Sequence, residues 1–157
     1  MKYVLPLLAF LFLVTSCKST SSASKNNAAL ADKIVRHAVQ HLGAPYKPAG
    51  KTSSGFDCSG LVYSTFGAFD INLPRTSYEQ ATAGKSLGKN TAQAEKGDLI
   101  FFKTNRSSRI NHVGIVTEAD KNEVKFIHSS TTKGVIISST KESYYEKSFT
   151  QLTRILE

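Results

Sequence analysis

The apolar residues of this chain keep helical spacing through its first half and alternate from Gly97 onward, and that change of period restricts the fold more than any other feature. Leu30, Ile34, Val35, Ala38, Val39 and Leu42 make one face of a helix over 29–42, which Gly43 is placed to end. A second helix is expected over 58–68, with Leu61, Val62, Thr65, Phe66 and Phe69 on its apolar face and Asp57 as its N-cap. A short helical stretch follows near 77–83. Strands are expected at 99–103, 112–117, 124–128, 135–138 and 152–156, separated by turn signals such as Glu118-Ala119-Asp120-Lys121-Asn122. Helices first and antiparallel hairpins after is the order of an α+β domain.

The N-terminal residues read as a targeting segment outside that domain. Met1-Lys2 supplies a short positive start, residues 4–14 form an apolar run too short to span a bilayer, and Val14-Thr15-Ser16-Cys17 sets small residues before a cysteine. Residues 1–16 are therefore expected to be a lipoprotein-type signal peptide, with Cys17 as the lipidated mature N-terminus. The Ser, Lys, Asn and Ala of 17–29 cannot bury enough surface to offset their ordering entropy, so a flexible tether is expected there, followed by one domain over 30–157. With Cys17 set aside, Cys58 is an unpaired thiol and no disulfide is expected. The formal net charge is +8, yet the lysines are scattered. Without a basic helix, zinc-finger spacing or aromatic–basic interleaving, nucleic acid is not an expected partner. Anionic lipid headgroups or an acidic wall polymer suit the charge better.

The chemistry-bearing residues are Cys58, in Gly55-Phe56-Asp57-Cys58-Ser59-Gly60, and two histidines on apolar strands, His112 and His128. A helix N-terminus stabilises negative charge, so a thiol there is expected to ionise below its free value of about 8.5. A nearby imidazole completes a thiolate–imidazolium pair, the minimum equipment for acyl transfer. By strand alternation His112 shares a face with Gly114 and Val116, and His128 with Val124 and Phe126. Gly114 leaves room for another element on that face. If the 58–68 helix packs on the sheet, both imidazoles are expected near Cys58. A zinc site from Cys58, His112 and His128 lacks the short paired ligand spacing of structural zinc. His37 and His41 lie one turn apart but border an apolar stripe with no third ligand close by, and read as structural. No metal and no cofactor are called for.

Five blocks together carry a resemblance: Gly43-Ala44-Pro45-Tyr46, Phe56 to Val62, Leu73-Pro74-Arg75-Thr76-Ser77, Gly97 to Phe102, and His112-Val113-Gly114-Ile115-Val116. In order and spacing they closely resemble the signature blocks of the NlpC-type (NlpC/p-sixty) cell-wall cysteine peptidases. The resemblance implies a papain-like α+β domain, with N-terminal helices, the nucleophile at a helix start, packed on an antiparallel sheet. It also implies hydrolysis of peptidoglycan stem peptides. Cys58 would be the nucleophile and His112 the base and later the acid. His128, 128 − 112 = 16 residues further on, would orient the His112 ring. The Cys58 N–H and the Tyr46 hydroxyl would hold the oxyanion. Asp57 and Ser59 would hold the polar backbone or free termini of the stem peptide, while Arg75 would pair with a substrate carboxylate or pack beneath the helix.

One departure stands out: Lys47-Pro48-Ala49-Gly50 follows Tyr46, where the family usually shows a Gly-Gly pair. Many relatives carry a bacterial Src-homology-three domain ahead of the catalytic part. A tether in its place is similar to the small, Spr-like lipoprotein members. That implies an exported monomer held to a membrane through its N-terminal lipid, facing the periplasm from the outer membrane where a cell has two. The bond cleaved is left open between D-glutamyl–diamino acid and the D-alanyl cross-link. Two rival readings are a papain-like lipid acyltransferase or phospholipase, which would need an apolar acyl channel, and a noncatalytic wall-binding lipoprotein, which would need neither thiol nor histidines.

Overall fold

A computed structural model describes residues 19–157; the expected signal peptide over 1–16 and Cys17 lie outside the described residues. Helix α1 (Ser19–Val39) starts about ten residues ahead of the expected helix and takes in most of the expected tether. Residues 22–29 of this helix are mostly exposed and are all Ser, Ala, Lys or Asn. Once Ile34, Val35 and Ala38 fix the later turns on the core, each added residue costs only its propagation term, which alanine keeps small. At the other end the last turn tightens. The His41 and Leu42 amides bond three residues back, to Ala38 and Val39, and Leu42 is turned outward, 45% exposed, instead of joining the apolar face. Gly43 takes φ +81° and donates to Val135 O at 2.9 Å, which ties the helix end to the sheet.

A small ribbon, β1 (Lys51–Thr52) with β2 (Gly55–Phe56), leads into α2 (Cys58–Gly67) and the single turn α3 (Ser77–Gln80). Then come β3 (Lys85–Gly88), β4 (Leu99–Phe102), β5 (His112–Ala119), β6 (Val124–Ser130), β7 (Gly134–Ser139), α4 (Ser143–Ser148) and β8 (Phe149–Arg154). Six strands form one antiparallel sheet in the order β3-β8-β4-β5-β6-β7, so the last strand returns to lie between β3 and β4. The fold is α+β, as expected. The ribbon, β3 and α4 were not legible as elements: β3 shows three exposed residues of four, and α4 has no side-chain cap.

Leu99-Ile100-Phe101-Phe102 is buried at every position because both sheet faces are covered. On one face Leu99, Phe101, Val113, Ile115 and Ile127 pack against α1 and α2 through Ile34, Ala38, Leu61, Val62 and Phe66. On the other, Ile100, Phe102, Val116, Phe126 and Leu152 pack around Tyr145 of α4.

Candidate active site

The start of α2 is built by local capping and one long-range ion pair. Asp57, with φ −89° and ψ 175°, accepts the Gly60 N–H at 2.6 Å as an N-cap. Arg75 grips the same carboxylate with both terminal nitrogens, at 3.0 and 2.6 Å, and donates to Ser59 Oγ at 2.9 Å. Gln80 donates to Ser59 O at 3.1 Å and to Pro74 O at 2.8 Å. Asp57, Ser59 and Arg75, expected to face the stem peptide, are therefore turned towards one another. Ser59 is buried, and of the two roles open to Arg75 the structure shows the packing one. Gly60 has no Cβ because one would overlap Gly50 O, and the loop before β1 crosses at that point. In that loop Ala49 sits at φ 57°, a left-handed position that glycine adopts without strain, where the family's Gly-Gly pair was expected.

Cys58 opens α2, half-buried and free of any disulfide. Its thiol donates a long hydrogen bond, 3.9 Å, to Asn111 O, so the sulfur lies against the turn that leads into β5. Asn111 is pinned there: its Oδ1 accepts the Thr104 N–H at 2.8 Å and its Nδ2 donates to Thr104 O at 3.2 Å. Burial pushes the thiol up, the Asp57 carboxylate adds to this, and the backbone amides of Val113, Ser59 and Cys58 only partly offset them. The expected depression by the helix N-terminus is thus outweighed by desolvation. Tyr46, held by a bridge to Phe56, has its phenol pushed up by burial and then by the charges of Cys58 and Asp57.

The histidines come from the opposite sheet face. Val113 and Ile115 pack under the helices, whereas His112, Gly114 and His128 share the other side with Phe126 and Tyr145. The space at Gly114 is filled by the neighbouring strand: a Cβ would come within 2.7 Å of Phe126 and 2.9 Å of Ile127 O. Helix α2 therefore does not cover the histidine face, and what the thiol lies against is the backbone of residues 111–113 at the start of β5. Among the described residues no hydrogen bond joins the thiol to an imidazole. His112 Nε2 and His128 Nδ1 are 2.9 Å apart, and among the described residues no hydrogen bond is made at His112 Nδ1. Burial holds His112 at about 4; burial and then His112 hold His128 at about 3. Both rings are neutral near pH 7.

Tyr145 escaped notice in the sequence, yet its hydroxyl lies 3.2 Å from His128 Nε2. Nothing in Ser143-Tyr144-Tyr145-Glu146 marks it, because the partner is fixed by how α4 docks. Beside His112 a cavity of about 440 Å³ is lined by Asn105, Ser130, Thr131, Lys133 and Glu142, among others. His37 and His41 lie edge to face at 5.3 Å, against Phe69 and Phe56 respectively. Among the described residues no group of three or more His, Cys, Asp or Glu converges as a metal site requires.

A "Probable endopeptidase" of Haemophilus influenzae is 40% identical over 153 residues, covering 93% of this chain and 91% of that protein. The Escherichia coli protein named "Murein DD-endopeptidase MepS/Murein LD-carboxypeptidase" is 37% identical over 131 residues, 83% of this chain but 65% of its own length. A crystal structure of an NlpC/P60 family protein from Bacillus cereus superposes with a TM-score of 0.71 at 29% identity, over 81% of this chain and 40% of that one. The NlpC/P60 family model matches residues 43–154, the span from the loop before β1 to the end of β8, and the chain belongs to that family.

Proposed function

We propose that this chain is a peptidoglycan endopeptidase whose nucleophile is Cys58, with His112 as base and acid and His128 as the group that orients it. The observation carrying this reading is a helix-start thiol set against the carbonyl just before His112, an imidazole whose far nitrogen is already bonded to a buried histidine. Substrate binding draws the Cys58 proton onto His112 Nδ1 as sulfur attacks the scissile carbonyl. The Cys58 N–H, one of the helix amides with no intrahelical partner, and the Tyr46 hydroxyl stabilise the oxyanion. His112 then passes its proton to the leaving amine. A water, deprotonated by the same ring, hydrolyses the thioester, and the carboxylate product leaves with the thiol restored. Asp57 and Arg75 serve this chemistry by fixing the first turn of α2.

The largely polar lining of the cavity beside His112 suits a peptide better than an acyl chain, which disfavours the lipid acyltransferase reading. Because the general acid must stand next to the leaving nitrogen, this cavity takes the leaving side of the substrate. The name of the 37%-identical murein relative favours the D-alanyl cross-link as the bond cut. Digestion of purified peptidoglycan, with products read by mass spectrometry, tests this. The wild-type protein should release uncross-linked stems, and Cys58→Ala should release none above background. Hydrolysis retained by the variant overturns the nucleophile, and an inert wild type overturns the endopeptidase reading.

A further inference from the structure

The thiol and the histidines sit on separate elements, with no hydrogen bond between them among the described residues. Their spacing is therefore set by whatever ties the backbone ahead of Cys58 to the histidine strands. Strand β6 supplies such a tie. Adjacent strand residues point to opposite faces, so while His128 faces Phe126 and Tyr145, Ser129 joins Ile127 on the face the helices cover. There the Ser129 hydroxyl, buried, donates to Phe56 O at 2.7 Å across 73 residues of sequence. Two residues, at most about 7 Å of chain, separate Phe56 from Cys58.

The same carbonyl accepts the Lys47 N–H at 3.0 Å, Phe56 N–H donates to Pro45 O at 3.1 Å, and Tyr46 bridges to Phe56. The neighbouring strand holds the other end of that segment. Val135 of β7, the register partner of Ser129, accepts the Gly43 N–H and donates to Ala44 O, each at 2.9 Å. Gly134 permits this approach: it takes φ +70°, and a Cβ there would overlap Ala44 O. Tyr46 and Cys58 are thus both seated on one cross-strand pair, Ser129 and Val135, and Ser129 directly follows His128 in the chain.

We propose that Ser129 is a positioning residue that fixes the segment from Tyr46 to Cys58 in register with the histidines. The inference rests on the reading above that Cys58 attacks and His112 takes its proton. Among these ties only the Ser129 bond starts from a histidine-bearing strand; the others come from β7 or from within the segment. Without the hydroxyl, Phe56 O keeps the Lys47 N–H, so no buried carbonyl is left bare and the fold survives. What is lost is the fixed spacing of sulfur and imidazole, and a misplacement of about 1 Å costs about a hundredfold in rate.

The test compares Ser129→Ala with Thr140→Val. Thr140 Oγ1 accepts the Val124 N–H at 3.0 Å, so the second variant loses one hydrogen bond from the same β6–β7 hairpin, at the end away from His128. On peptidoglycan Ser129→Ala should lower kcat about tenfold to a hundredfold with KM little changed, because Ser129 does not line the cavity beside His112. Thr140→Val should keep the wild-type kcat. Hydrogen exchange reads the seat without turnover. In Ser129→Ala the amides of Lys47, Phe56 and Asp57 should exchange about tenfold faster, the scale of one lost buried hydrogen bond, and in Thr140→Val they should not. A wild-type kcat in Ser129→Ala, or unchanged exchange at those amides, overturns the proposal. An equal fall of kcat in both variants overturns it too, since the effect would then be one of general stability. An inert wild type sinks the endopeptidase reading instead, and the exchange rates alone then decide whether Ser129 holds the segment.

Discussion

At the scale of single residues, the site is held in its uncharged form from two sides. Burial and the Asp57 carboxylate raise the Cys58 thiol, while burial lowers His112 to about 4 and His128 to about 3. In the proposed mechanism the proton transfer from sulfur to imidazole therefore belongs to the reaction with substrate rather than to the resting site. Alkylation of Cys58 by iodoacetamide, followed against pH, should rise with an inflection above that of an ordinary thiol, because only the thiolate reacts. An inflection below pH 7 would show instead that the ion pair is already formed in the empty site. The side chains proposed to carry the chemistry were singled out by type and spacing. Their protonation was not, since it depends on how much water the packed strands exclude.

The N-terminal end of α2 is the element on which the proposed nucleophile depends. Asp57 both caps the helix and pairs with Arg75, and the two functions can be separated. Asp57→Ala should lower stability by about 1–3 kcal/mol, from the lost cap and from a half-exposed arginine left without its carboxylate. Asp57→Asn keeps a capping oxygen and should lose distinctly less. Urea unfolding of both variants measures the difference, and equal losses would mean that the cap contributes nothing. The cap itself was legible because it joins residues three apart. Helix α1 shows the opposite case. Composition argued for a tether over 17–29, but composition weighs a segment alone, and residues from 19 onward are an extension of turns already paid for by packing on the core.

For the whole molecule, the buried histidines make folding depend on acidity. Both imidazoles titrate below the ordinary value of 6.5 when folded, and His41 is displaced the same way by burial and His37. The unfolded chain thus binds more protons as pH falls through 6.5, and stability present above that value is lost progressively towards about 3. Between pH 6.5 and about 5 most carboxylates stay ionised in both states, so the histidines should dominate the loss. The melting temperature should drop across that window, and His128→Gln should flatten the drop; a flat wild-type profile would contradict the burial of the pair. Order along the chain determined the α+β class, the thiol at a capped helix start and the two strand histidines, because each follows from neighbours within a few residues. Only the tertiary structure decided that the helices cover the face opposite the histidines, that Arg75 serves Asp57 across 18 residues, and that Tyr145 meets His128 across 17. Those contacts are made by docking separate elements, and burial, which sets the charge of the site, exists only once they have docked.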